Sequence, residues 1–80
     1  MKIYNRLQLI RTERKMSRNE LADVVGINSQ TIGFIERGDY SPSLELAFKI
    51  AAVFNVSIET IFSTQQFESL FNNENKELTK

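Results

Sequence analysis

Neither cysteine nor histidine occurs among the 80 residues of this chain. Without cysteine there are no disulfide staples, no thiolate metal ligands and no thiol nucleophile. Without histidine there is no Ser/His pair, no HExxH zinc site and no imidazole base. No apolar run approaches the roughly 18 residues needed to span a bilayer. Met1 to Tyr4 lacks the long apolar stretch of a secretory leader, so the expected compartment is the cytoplasm. Charge of one sign is lacking too: ten Lys and Arg balance ten Asp and Glu. Ten carboxylates on a chain too short to enclose a pocket do not suggest an enzyme, and no metal or cofactor is expected. The length allows one small domain of modest stability, for which oligomerisation is the remaining common source of extra burial.

What is present is helical. Ile3, Leu7, Ile10 and Arg14 recur at three- and four-residue steps and predict an amphipathic helix over Asn5 to Lys15. Ser17 with Glu20 three residues on is a capping box, so a second helix starts there, runs through Leu21, Ala22 and Val25, and stops at Gly26. Asn28 or Ser29 caps a third helix, Gln30 to Arg37, with Ile32 and Ile35 inward and Gly38 at its end. Ser43, after Pro42, caps a fourth from Leu44 to Phe54, closed by Asn55. Ser57 caps a short fifth, with Ile58, Ile61 and Phe62 on one face. Residues 62–71 read as a strand or a further short helix. The domain is expected to span residues 1–67, with a polar, flexible tail over 68–80.

Two short helices joined by a glycine turn between Ser17 and Gly38 cannot lie side by side and must cross steeply. That is helix-turn-helix geometry for the DNA major groove. The outward residues of the third helix then become candidates for base contact: Ser29, Gln30, Thr31, Gly33 and Phe34. Gln30 can bond both N6 and N7 of adenine, and Phe34 can meet thymine methyl groups or pack on a neighbouring loop. Gly33 costs up to about 1 kcal/mol in a helix interior, which either a close approach of another surface or internal packing would explain. Phosphate contacts are expected from Arg18, Asn28, Arg37, Tyr40, Ser41 and Ser43 around this helix. Ser17 and Ser43 are most simply caps, and Arg18 and Arg37 are otherwise solvated charges. Residues 1–18 hold six basic residues against Glu13 alone, a net of +5, so a neutral chain can still present a basic face.

Met16-Ser17-Arg18-Asn19-Glu20-Leu21-Ala22, Gly26-Ile27, Gln30-Thr31-Ile32, Ile35-Glu36-Arg37-Gly38 and Tyr40-Ser41-Pro42-Ser43-Leu44 together resemble the phage-repressor/Cro type (Xre family) helix-turn-helix regulators. Tyr40 to Phe62 is similar to a subgroup of very short bacterial regulators that includes the enterococcal cytolysin repressor. The resemblance implies a mainly α, lambda-repressor-like five-helix bundle with a small antiparallel sheet pairing Lys2–Tyr4 with Phe62–Phe67. It also implies a homodimer bound to an inverted-repeat operator near a promoter, and an internal salt bridge between Arg11 and Glu36. Arg18 stands where the family usually has Gln, and Ser29 where the subgroup often has Arg.

The fourth helix is apolar over a wide arc. On a helical projection Leu44, Ala47, Phe48, Ala51 and Phe54 share one side, which leaves Leu46, Ile50 and Val53 as a second stripe. With Ile58, Ile61 and Phe62, that stripe is the expected dimer contact. The alternative is a larger internal core closed by Phe67, Leu70 and Phe71. The leading reading is a sequence-specific DNA-binding repressor that acts by occupying its site. A competing reading is an antitoxin or other protein-interaction module whose C-terminal tail binds a partner protein.

Overall fold

The fold is described by a computed structural model covering residues 1–68. In chain order it consists of β1 (Tyr4–Asn5), α1 (Leu7–Glu13), α2 (Arg18–Val25), α3 (Ser29–Arg37), α4 (Leu44–Phe54), α5 (Ile58–Ile61) and β2 (Phe62–Ser63). Five helices surround one core, and the two strands form a small antiparallel sheet. The tail beyond Glu68, with Leu70 and Phe71, lies outside the described residues.

Local capping chemistry sets most helix boundaries. Ser17 Oγ accepts the Glu20 N–H at 3.0 Å, and the Glu20 carboxylate accepts the Ser17 N–H at 2.8 Å. These bonds hold the Glu20 carboxyl below its ordinary pKa range, the backbone donor contributing most. Gly26 and Gly38 both adopt φ of 82°, which lets α2 and α3 end in the left-handed conformation without a Cβ clash. Of the two candidates for the α3 cap, Asn28 is the one that serves: its Oδ1 accepts the Thr31 N–H at 2.9 Å. The Ser43 cap of α4 accepts the Leu46 N–H at 3.1 Å.

The N-terminal segment differs from expectation. α1 is shorter than Asn5–Lys15 because Asn5 serves two other partners. Its Oδ1 accepts the Leu7 N–H at 3.0 Å, and its Nδ2 donates to the Ile35 carbonyl at 2.8 Å, tying the chain entry to α3. At the other end Lys15 turns to φ 56°, and the Met16 N–H closes on the Arg11 carbonyl. The sheet is also shorter and shifted: Tyr4 pairs with Ser63 and Asn5 with Phe62, in place of Lys2–Tyr4 against Phe62–Phe67. The Ser63 hydroxyl accepts the Gln65 N–H, which turns the chain away after two residues. Phe67 then lies over the Arg6 guanidinium, 4.5 Å from ring centre, so it does not extend the strand.

The core consists of Leu7, Leu21, Ala22, Val25, Ile32, Ile35, Ala47, Ile50, Ala51, Phe54 and Ile61. This corrects the reading of α4. Its buried stripe is Ala47, Ile50, Ala51 and Phe54, at the i, i+3, i+4, i+7 spacing. Ile50 is 0% exposed, whereas Phe48, expected inward, is 55% exposed. Ile61 is buried as well, and Leu46 and Val53 are half-buried against the core. Ile50 and Ile61 are therefore unavailable as dimer contacts. Ile50→Ala should lower the unfolding free energy by ~2–5 kcal/mol. Val24→Ala, at an exposed site on α2, should stay within ~0.5 kcal/mol of the parent; denaturant unfolding measures both.

Candidate nucleic-acid interface

α2 and α3 make the most extensive helix pair in the fold. Ile32 and Ile35 point inward from α3 as expected, and Gln30, Phe34 and Arg37 are exposed on its other side. The beginnings of α2 and α3 share one open depression lined by Arg11, Ser17, Arg18, Asn19, Ser29 and Gln30. Folding thus brings Arg18, Ser29 and Gln30 to one surface. It adds Asn19, which sequence reasoning did not single out. The signal was its place in the first turn of a capped helix whose flank is expected to meet phosphates.

Beneath that surface lies Glu36, whose side chain is 0% exposed. Arg11 grips it with Nε on Oε2 at 2.7 Å and Nη2 on Oε1 at 3.3 Å. The expected Arg11–Glu36 pair is therefore present. A second partner is added: Arg18 donates from Nε to Oε1 at 2.9 Å. Arg11 also donates to the Met16 carbonyl, which places both guanidiniums beside the start of α2. Arg18 remains 41% exposed, so it is an ion-pair partner and a surface cation at once.

The other candidates divide between the exposed surface and the packing of the fold. Gly33 is buried, and the place where its Cβ would stand has the Arg18 and Arg37 Nη1 atoms each 3.4 Å away, so it does not offer its backbone to bases. The Thr31 hydroxyl donates to Asn28 Oδ1 at 3.0 Å in an exposed bond. Asn28 and Ser43 commit their side-chain oxygens to caps. Phe34 is 45% exposed and lies 5.2 Å from the Arg37 guanidinium, a cation–π contact. Arg37 also donates from Nε to Asp39 at 3.2 Å. Tyr40 and Ser41 are exposed in the loop between α3 and α4.

The basic segment is less available than its net charge suggests. Arg6 donates to the Thr60 carbonyl and Arg14 to the Phe54 carbonyl, while Arg11 and Arg18 serve Glu36. Much of that positive charge is engaged within the fold, and only part of it faces outward.

Residues 7–61 match the helix-turn-helix family. A protein of Archaeoglobus fulgidus, named as an uncharacterized HTH-type transcriptional regulator, is 51% identical over 57 residues, spanning 71% of this chain and 80% of its own. YgzD of Bacillus subtilis, similarly named, is 40% identical over 58 residues, spanning 72% of this chain and 88% of its own. Among solved structures, the restriction-modification controller protein C.AhdI from Aeromonas hydrophila aligns with a TM-score of 0.64 at 28% identity, covering 68% of this chain and 82% of its own.

Removing the central carboxylate tests the ion-pair arrangement. Glu36→Ala leaves the buried Arg11 without its counter-charge, and denaturant titration should show a loss of ~3–5 kcal/mol. A loss below ~1 kcal/mol, the range of exposed pairs, would show that the node contributes little.

Proposed function

The chain belongs to the helix-turn-helix family of phage-repressor/Cro (Xre) type regulators, and from that premise we propose that it represses transcription as a homodimer on an inverted-repeat operator. One observation carries this reading: a rigidly capped α3 turns Gln30 outward beside Arg18, Asn19 and Ser29. In this docking the second helix of the motif enters the major groove and its N-terminal residues meet base edges. Gln30 is the principal base reader, with Ser29 and Phe34 beside it. Arg18, Arg37, Tyr40 and Ser41 hold the backbone, and the spare carboxamide nitrogen of Asn28 and the hydroxyl of Ser43 lie at the margins. Two such helices about 34 Å apart reach successive major grooves on one face of DNA, and a site overlapping a promoter excludes polymerase.

Dimerisation is assigned to a different apolar surface from the stripe inferred on α4. Ile3, Pro42, Leu44, Ile58 and Phe62 line two adjoining apolar depressions. Phe48 stands one turn beyond Leu44 on the same side of α4, with its ring exposed. An apolar surface of this kind on so small a chain favours a second copy as its cover. Of the dimer residues inferred from sequence, Ile58 and Phe62 belong to this surface.

Selection of bound sequences from a random duplex pool at fixed salt should yield a two-fold symmetric motif; an asymmetric or featureless pool would refute the operator reading. Gln30→Ala should lose ~1–3 kcal/mol at one base pair per half-site and leave binding to unrelated duplexes nearly intact. Phe48→Glu should convert dimer to folded monomer in sedimentation; an unchanged dimer places the contact elsewhere.

A further inference from the structure

Two guanidinium groups converge on the outer side of α3. Arg18 reaches there from the start of α2 and Arg37 from the end of α3. Each has an Nη1 atom 3.4 Å from where a Cβ on Gly33 would stand, so the two atoms are at most twice that distance apart. Such crowding of like charges needs compensation, and each group has it. Arg18 Nε is held by Glu36 and Arg37 Nε by Asp39. Arg37 is steadied further by the Phe34 ring. Among the described residues, the hydrogen bonds of both side chains run through Nε alone, which leaves their terminal nitrogens free as donors.

The small residue at position 33 leaves room for the arrangement. A side chain longer than a methyl group would fill the space that the two groups share. A methyl group at this position would meet both Nη1 atoms at ordinary contact distance, so the shared space calls for a small residue, alanine as well as glycine.

We propose that Arg18 and Arg37 form one clamp above Gly33 that grips a single DNA backbone phosphate between them. This rests on the DNA-binding reading and adds a division of labour to it. Three observations favour a phosphate over a base edge. The ion pairs of Arg11, Arg18 and Arg37 with Glu36 and Asp39 leave one positive charge in surplus, matching one phosphodiester. Arg18 opens α2, the helix that crosses the DNA backbone in this docking. The upper bound on the separation of the two donors is short enough for one anion to accept from both through charge-assisted bonds of about 2.8 Å.

The test uses the full chain and the tightest duplex recovered from the random pool, made as a set in which one phosphate per half-site is replaced by neutral methylphosphonate. The wild-type protein should lose about tenfold in affinity at one position. In Arg18→Gln, which keeps a donor for Glu36, and in Arg37→Gln, that same position should become silent. The double variant should bind no more weakly than either single one, and its salt slope should fall by about 0.9 per half-site. Gly33→Leu should remain folded at the assay temperature by thermal melting, yet show the same silent position. If the two arginine variants silence different phosphates, or their losses add, each contacts its own phosphate and the clamp is refuted. Losses confined to one base pair would assign the pair to base reading. If Gly33→Leu retains the methylphosphonate effect, the role given to Gly33 fails. A wild-type protein that binds no duplex removes the regulator reading itself, a result distinguishable from all of these.

Discussion

A carboxylate fully withdrawn from water is costly unless its charge is matched and its oxygens accept hydrogen bonds. Glu36 meets that condition through two guanidiniums from different parts of the chain, Arg11 on α1 and Arg18 at the start of α2. Three helices thereby meet at one side chain. α3 cannot shift along α1 or tilt against α2 without breaking bonds to a buried charge. Rigid support of this kind is what a reading surface needs, because contacts to base edges depend on sub-ångström placement. The same carboxylate also aims Arg18. Its Nε is anchored below while the rest of the group stays half in water, so the packing that stabilises the motif also orders its outer face.

The remaining arginines show how so short a chain closes its helices. The last carbonyls of a helix have no partner within it. Arg14 donates to the Phe54 carbonyl at the end of α4, and Arg6 to Thr60 near the end of α5. Positive charge near helix C-termini is favourable in itself. In the proposed docking, a segment rich in arginine would contribute fewer phosphate contacts than its charge suggests. Affinity would then rest on a small number of well-placed donors, with a shallower salt dependence than that of a strongly basic binder.

Helix boundaries were legible because caps are local. Ser17 with Glu20, Gly26, Gly38, Ser43 and Asn55 act within three or four residues, so their meaning is carried by adjacent letters. The entry to α1 was not legible, since Asn5 bonds to Ile35, thirty residues away. The second guanidinium on Glu36 is hidden from sequence for the same reason: Arg18 stands at a helix start, whereas its partner lies on α3. Gly33 had two open explanations in sequence. The two side chains that cross above it lie fifteen positions before and four after, and only folding brings them together.

α4 marks the division most clearly. Its sequence interrupts an apolar run only at Glu45 and Lys49, which pair across one turn and fix the solvent line. That line leaves two equivalent apolar flanks, Leu46 with Val53 and Leu44 with Phe48. Periodicity within one helix cannot choose between them, because both flanks stand at similar angles from the charged edge. The neighbouring helices choose: the core covers Leu46 and Val53, seats Ile50 at its centre, and leaves Leu44 and Phe48 open. Sequence alone determined the five helices of the described residues, where most of them begin and end, and which of them turns a glutamine outward, since caps and amphipathic spacing act over a few residues. Tertiary structure decided which apolar flank stays bare and which arginines share a carboxylate, because those outcomes depend on surfaces that meet only when distant segments pack.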